Sequence, residues 1–272
     1  ADLETCSAVG QADIAVISTV SSLERMEDQI REVADCGLDI VSTCEELSHP
    51  WHTKPDLARR IDDYCKEKQI SCIGSGVNPG FLMDYLPSVL TSVCRKVEHI
   101  KVERVQDARP RRKPFRDKIG AGLTESEFEQ KREKIRHVGL PESVYMIADA
   151  MNWELTNVTE ELEPIQAENP IKTESGTVNP GNVAGVRQVA TGEQNDQEVI
   201  RLIFEAAVGI DESHDSIYIT GDPTFTSTID GGINGDIATS SIIVNAIRAI
   251  RNASPGLKTM LDVQAPAYFS NI

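Results

Sequence analysis

The sequence lacks a long apolar run, and no stretch of its 272 residues approaches the roughly 18 consecutive apolar residues of a membrane-spanning helix. It is also poor in positive charge. Lysine and arginine number 27 against 43 acidic residues, which gives a formal net charge of −16. This balance argues against nucleic acid or an anionic membrane as the main partner. At 40% hydrophobic and 26% charged residues, the composition is typical of a globular protein.

The cysteines form no CxxC pair, which favours a reduced, cytoplasmic compartment over a disulfide scaffold. Histidines, cysteines and acidic residues nowhere have the spacing of metal ligands, so we expect no metal site.

The first part of the chain alternates short apolar strands with amphipathic helices. Strands are predicted at 13–19, 38–43 and 70–73, and helices at 21–36 and 53–68. This alternation predicts an α/β fold with a doubly wound parallel sheet and right-handed crossovers. A glycine-rich Gly-x-Gly-x-x-Gly turn is expected near the start of a dinucleotide-binding domain, and none is found. We therefore expect the C-terminal half of a Rossmann-like sheet.

From about residue 93 the pattern changes to strands with one wet face. Strands are predicted at 98–106, 154–163, 183–191, 198–208 and 216–221, and helices at 124–136, 141–151 and 236–251. This pattern predicts an α+β domain with a mainly antiparallel sheet. We expect a partial dinucleotide-binding domain over 1–92, a substrate and dimerisation domain over 93–250, and a C-terminal segment, 251–272, that returns to the first domain.

The segment after the third predicted strand combines glycines with helix-start signals. Asn78 is a good N-cap and Pro79 suits a first helical position, so we expect a helix from about Phe81. Glycines at 74, 76 and 80 would let the backbone approach a flat or phosphorylated ligand. An ordinary tight connection between a strand and a helix is the alternative interpretation.

Two adjacent acids, Glu45 and Glu46, follow the second predicted strand, with Trp51 close behind. A carboxylate at the end of a buried strand would be partly desolvated, and could transfer a proton or hold an ammonium group. A surface pair at the start of a helix is the alternative.

A basic segment spans residues 107–118, with Pro110 and Pro114 close together. The prolines indicate a loop without regular helix, and the segment is either a solvated flap or a lid that attracts a phosphate or carboxylate. Its basic residues are Arg109, Arg111, Arg112, Lys113 and Arg116.

Six motifs spread over the chain resemble one family. They are Ser-Thr-Val-Ser at 18–21, Cys-Glu-Glu-Leu-Ser-His-Pro-Trp at 44–51, Gly-Val-Asn-Pro-Gly-Phe-Leu-Met-Asp at 76–84, Lys-Ile-Gly-Ala-Gly-Leu-Thr at 118–124, His-Val-Gly-Leu-Pro-Glu-Ser at 137–143 and Ser-Pro-Gly-Leu-Lys-Thr-Met at 254–260. Together they resemble the dihydrodipicolinate-reductase-like family, in its branch of 2,4-diaminopentanoate dehydrogenase and NAD(P)-dependent amine dehydrogenases. The cofactor-binding glycine turn of that family has no counterpart in this sequence, and its absence leaves NAD and NADP undistinguished.

The resemblance implies oxidative deamination of a primary amine, either 2,4-diaminopentanoate-like or a short alkyl amine, and reductive amination of the ketone with ammonia. It implies NAD or NADP as the cofactor and a homodimer. Glu45 would hold the ammonium group and move its proton, with Glu46 as the second candidate. Cofactor contacts would come from Ser18, Thr19, Val20, Ser21, Thr43, Cys44, Asn78, Pro79 and Gly80. The substrate wall would contain Phe81, Leu82, His137 and Met151, although His137 also suits a structural role at the start of a helix.

Two other functions are weighed. A true dihydrodipicolinate reductase needs paired histidines and a lysine, whereas the histidines here are isolated in sequence. A non-catalytic, N-terminally truncated fragment would fit the missing glycine turn, and it predicts poor cofactor binding by the chain on its own.

Overall fold

The structure is a computed structural model in which residues 10–174 and 176–270 are described. The chain separates into two compact units. Unit 1 contains the residues up to Leu86 and from Gly235 onward, and unit 2 contains Pro87–Asn234. Among the described residues, no helix combines the length and the apolar character needed to cross a membrane.

The described residues form twelve strands and eight α-helices, each numbered in chain order. The strands are β1 (Ile14–Ile17), β2 (Asp39–Ser42), β3 (Ser71–Gly74), β4 (Lys96–Asp107), β5 (Asn157–Gln166), β6 (Ile171–Thr173), β7 (Gly176–Val178), β8 (Val183–Gln194), β9 (Gln197–Ala207), β10 (His214–Asp222), β11 (Phe225–Asp230) and β12 (Gly256–Lys258). The helices are α1 (Leu23–Asp35), α2 (Pro50–Thr53), α3 (Pro55–Glu67), α4 (Tyr85–Leu90), α5 (Lys113–Lys118), α6 (Glu125–Lys131), α7 (Leu140–Met151) and α8 (Gly235–Ile250).

Unit 1 is built on a parallel sheet with the strand order β1-β2-β3-β12. Leu23, Met26 and Ile30 of α1 recur at helical spacing, and they pack with α3 against Ile40 and Cys72 on one face of the sheet. Because side chains alternate along a strand, the next residues of β2 and β3 face the opposite side. Helix α8 packs against β2 and β3. Helices therefore lie on both faces, as the doubly wound prediction requires.

The position of helix α8 differs from the predicted domain boundary. Residues 236–251 were predicted at the end of a second domain, but α8 lies in unit 1. Val41 and Ile73 on the second face of the sheet have no exposed surface, and Ile243 and Ala246 of α8 are buried. Covering that apolar face drives the return of the chain. Beyond α8, strand β12 pairs with β3, so the described part of 251–272 also lies in unit 1.

Unit 2 is organised around a mixed sheet with the strand order β11-β10-β4-β9-β8-β5. Neighbouring strands are antiparallel except β4 and β9, which pair in parallel. Helix α7 packs against β5, β8 and β9. The mainly antiparallel sheet matches the prediction, whereas β11 and the β6–β7 hairpin were not predicted because their segments are short and polar.

The basic segment was predicted to be a loop without regular helix, but Lys113–Lys118 form the short helix α5. Pro114 lies in the first turn, where its missing N–H donor costs no intrahelical hydrogen bond. The predicted start of the next helix holds: Thr124 and Glu127 form a reciprocal capping box at α6.

Candidate active site

A cleft of about 230 Å³ lies at the carboxyl ends of β1, β2 and β3 in unit 1. Parallel strands end at the same edge of a sheet, so loops far apart in sequence meet there. The cleft is lined by Ser18, Thr19, Val20, Ser21, Thr43, Glu45, Ser75, Gly76, Asn78, Pro79 and Thr239. A complete small-molecule pocket usually measures about 300–1,000 Å³. This cleft can therefore hold one ring-sized part of a larger ligand.

The two adjacent acids point to different places. Both lie in a 3-10 turn, Glu45–Leu47, which begins three residues after the end of β2. Glu45 lines the cleft. The Oε2 atom of Glu46 instead accepts the N–H of Leu23, at 2.8 Å, and lies 3.6 Å from Nζ of Lys54. Glu46 thus satisfies an amide at the start of α1, where Ser22 makes no side-chain cap.

The turn after β3 differs from the prediction in its helix start. Asn78 is not an N-cap and Pro79 is not in a first helical turn, because the helix begins only at Tyr85. The carboxylate of Asp84 accepts the N–H groups of Gly80, at 2.7 Å, and Tyr85, at 2.6 Å. Asp84 is fully buried, and these two bonds fix residues 80–84 as a separate turn. Asn78 and Pro79 are left at the cleft.

Glycines in this turn serve close packing within the protein. A Cβ atom on Gly74 would lie 2.6 Å from the carbonyl carbon of Leu47. One on Gly80, whose φ is +119°, would lie 2.7 Å from the backbone nitrogen of Gly76. The chain therefore folds against itself at Gly74 and Gly80. Gly76 is the one of the three predicted glycines that lines the cleft.

Cys44 was predicted to contact a cofactor, but its side chain turns into the core. Its Sγ donates to the carbonyl oxygen of Ser21 at 3.2 Å, and the residue is 1% exposed. Burial raises the pKa of the Cys44 thiol to about 12. The thiol is therefore protonated at neutral pH and lies outside the cleft lining.

Two lining residues were not predicted from the sequence: Ser75 and Thr239. Ser75 lies between the predicted glycines 74 and 76, so its position could have been found by following every residue beyond β3. Thr239 comes from α8, and its Oγ1 accepts the N–H of Val77 at 3.3 Å. No local pattern connects residues that are so distant in sequence.

The predicted substrate-wall residues are not brought together within one unit. In unit 1, Leu82 is buried at 2% exposure, and the ring of Phe81 lies 6.3 Å from that of Tyr85. In unit 2, Met151 ends α7 and is partly buried. His137 also belongs to unit 2.

His137 is held firmly in unit 2 by its ring and by its backbone. The ring stacks on Phe204 with centroids 4.5 Å apart. Its backbone N–H donates to Oε1 of Gln188 at 2.9 Å, and its carbonyl accepts Nε2 of Gln188 at 2.8 Å. Burial, reinforced by Lys118 and two nearby arginines, holds the pKa of His137 well below its usual value.

Two other histidines, which were predicted to be isolated, are in contact: the ring centroids of His49 and His52 lie 5.9 Å apart in a stacked arrangement in unit 1.

The guanidinium groups of Arg109 and Arg116, in the basic segment, bind to other groups within unit 2. Arg109 pairs with Asp107 at 2.7 Å and donates to the carbonyl of Ile210. Arg116 is buried, and its Nη1 donates to the carbonyls of Arg109 and Arg111. The lid interpretation therefore fits Arg109 and Arg116 poorly, because both groups stabilise the segment itself.

Comparisons with known proteins agree on one family. The family model described as "2,4-diaminopentanoate dehydrogenase C-terminal domain" matches residues 81–271. The chain is 33% identical over 264 residues to 2,4-diaminopentanoate dehydrogenase of Acetoanaerobium sticklandii, covering 94% of this chain and 74% of that protein.

Solved structures support the fold. The amine dehydrogenase from Mycobacterium smegmatis superposes with a TM-score of 0.83 at 20% identity, over 94% of this chain and 77% of that one. A probable dehydrogenase from Thermotoga maritima gives a TM-score of 0.51 at 10% identity, over 92% and 73% of the two chains. The predicted α/β fold is confirmed. By its family model and its sequence identity, the chain belongs to the 2,4-diaminopentanoate dehydrogenase family.

Proposed function

We propose that this protein is an NAD(P)-dependent amine dehydrogenase. It converts a primary amine, of the 2,4-diaminopentanoate class or a short alkyl amine, to the ketone and ammonia, and it catalyses the reverse reductive amination. Family membership supports the reaction class. The observation that carries the assignment to a site is the position of Glu45 in a cleft formed by the ends of three parallel strands.

Two features of the cleft fit a nicotinamide ring. Its volume of about 230 Å³ suits one ring with its substituent. Ser75, which lines the cleft, carries a buried hydroxyl that no described residue hydrogen-bonds. Ser18, Thr19, Val20, Ser21, Thr43, Asn78 and Pro79 would surround the bound ring, with Gly80 behind them. When bound, the cofactor supplies the acceptor or donor of hydride at the amine carbon.

Glu45 acts on the nitrogen of the substrate. Its carboxylate holds the ammonium group by a charge-assisted hydrogen bond. It takes one proton from that nitrogen as the C–H hydride leaves, and the resulting imine is hydrolysed by water. In the reverse direction it returns the proton to the amine. Glu46 is the weaker candidate for this role, because its carboxylate is engaged by Leu23 and Lys54.

A matched pair of isosteric variants tests this assignment. In Glu45→Gln we expect a loss of about 10²–10⁴-fold in amine-dependent cofactor reduction, because a proton-transfer group is removed. The melting temperature should change by only a few degrees, because glutamine keeps the size and shape of the side chain. Glu46→Gln, which keeps an acceptor for Leu23, should retain activity within a few-fold. Activity lost in Glu46→Gln and kept in Glu45→Gln would mean that the other carboxylate is catalytic.

Two further parts of the proposal follow from the resemblance and the composition. We infer a homodimer, which sedimentation would reveal as about twice the chain mass of 29.8 kDa. We also infer a cytoplasmic location, supported by the free thiols at Cys36, Cys44, Cys65, Cys72 and Cys94.

A further inference from the structure

Ser75 has a buried hydroxyl that no described residue hydrogen-bonds. The residue follows β3 directly, and its backbone N–H donates to the carbonyl of Ser42 at 2.9 Å. The residue lines the cleft, yet it is only 3% exposed. Among the described residues, Ser75 Oγ finds no hydrogen-bond partner. Buried hydroxyls are almost always hydrogen-bonded, so this exception needs an explanation.

The neighbouring strand provides a direct comparison. Ser42 ends β2 as Ser75 follows β3, and it is also fully buried. Ser42 Oγ donates to the carbonyl of Ile17 at 2.9 Å and accepts the N–H of Cys44 at 3.0 Å. The hydroxyl of Ser42 is thus used in holding adjacent strand ends together. The hydroxyl of Ser75 makes no hydrogen bond to the described residues of unit 1.

The surroundings of Ser75 Oγ are closed on the protein side. A Cβ atom on Gly80 would lie 2.7 Å from this oxygen, so the backbone of Gly80 covers it closely. On the other flank, Thr239 packs against Gly76, with Cγ2 3.5 Å from the Cβ position of that glycine. Ser75 lines the cleft together with Glu45 and Asn78. A ligand in the cleft is therefore the candidate partner for the hydroxyl.

The hydrogen-bonding capacity of the hydroxyl indicates which group of that ligand it binds. A serine hydroxyl can donate one hydrogen bond and accept others, whereas an ionised Glu45 only accepts. The ammonium group of the substrate, which only donates, suits Glu45. A primary carboxamide both donates and accepts, and it suits Ser75. We propose that Ser75 Oγ binds the carboxamide of the nicotinamide cofactor and so fixes the orientation of the ring. This inference rests on the proposed function.

Ser75→Ala tests the proposal, with Ser42→Ala as the matched control. Without cofactor, Ser75→Ala should melt within about 1 °C of the wild type or slightly above it, because no hydrogen bond is lost. Ser42→Ala should melt about 2–12 °C lower, because it loses two hydrogen bonds. Titration with NADH and NADPH, followed by fluorescence, should show about 3- to 10-fold weaker binding of the preferred cofactor to Ser75→Ala. The KM for the amine should not change.

The outcomes separate the proposal from the function on which it rests. Equal cofactor affinity in Ser75→Ala and the wild type would overturn it, as would a raised KM for the amine alone. A melting temperature lowered as far as in Ser42→Ala would also overturn it, because the hydroxyl would then be structural. If the wild type binds cofactor but oxidises no amine, the proposed function fails while the binding comparison still decides the role of Ser75.

Discussion

A buried ion pair in unit 2 allows a stability prediction with a definite size. Nη1 of Arg104, on β4, lies 2.7 Å from Oδ1 of Asp215, on β10. Nη2 donates to the carbonyl of Ile233 at 2.9 Å, and Asp215 Oδ2 accepts the N–H of Ile233 at 2.8 Å. The side chains are 2% and 5% exposed. The pair therefore ties two strands to the turn before residue 235.

Asp215→Asn removes the negative charge and leaves the guanidinium buried. Burial already lowers the pKa of Arg104, so the charged form depends on its carboxylate. Breaking one side of a buried pair typically costs about 3–5 kcal/mol. At about 2–4 °C per kcal/mol for a chain of this size, the melting temperature should fall by about 6–20 °C. Differential scanning calorimetry measures the change.

Two comparison variants make the argument testable. Asp117→Asn breaks the exposed pair with Lys113, whose side chains are 58% and 64% exposed. Solvent screens such a pair, so the loss should be about 0.3–0.5 kcal/mol. The double variant Arg104→Met, Asp215→Leu removes both charges and should recover much of the stability. If Asp215→Asn melted like Asp117→Asn, or if the double variant were no more stable than Asp215→Asn, burial of charge would not be the cause.

Two further predictions concern backbone and pH. Gly80→Ala should lower the free energy of unfolding by about 1–3 kcal/mol. The reason is that φ is +119° and the new Cβ would meet Gly76 and Ser75. Gly122→Ala, with φ of +93° and open space around it, should cost less in the same calorimetric comparison. His137 has its pKa below the unfolded value of 6.5, so the unfolded chain binds the proton more readily and stability should fall as pH drops below about 6.5, by up to about 1.4 kcal/mol per pH unit. In His137→Gln, urea midpoints between about pH 7.5 and 5.5 should lose that part of the slope, and an unchanged slope would assign it to other groups.

The parallel half of the fold could be predicted because its strands are continuous apolar runs. Ile40 and Val41 at the centre of β2, and Cys72 and Ile73 in β3, are consecutive apolar residues, as expected for strands covered on both faces. The covering helices were harder to assign. Helices α1 and α3 neighbour their strands in sequence, whereas α8 comes after the whole of unit 2. Only the uncovered face of the sheet explains why α8 returns to it.

The candidate site could be predicted where a strand end alone defines it. Glu45, Thr43 and Ser18–Ser21 follow apolar strands, so their common edge follows from parallel pairing. Cys44 was misplaced because neighbouring side chains after a strand point in opposite directions. The helix start at Asn78 was wrong because Asp84, six residues later, holds the intervening turn with two backbone bonds. Competition between two local hydrogen-bond patterns decides such a case, and propensity does not.

The separation of Glu45 and Glu46 has a simple geometric cause. A 3-10 helix has about three residues per turn, so successive side chains diverge by about 120°. In the turn Glu45–Leu47, one residue therefore faces the cleft, one faces the start of α1 and Leu47 enters the core. Both acids could face a ligand only if the strand continued or the turn were looser. The same turn that exposes Glu45 to the cleft thus commits Glu46 to α1, and a substitution at one position leaves the environment of the other largely intact.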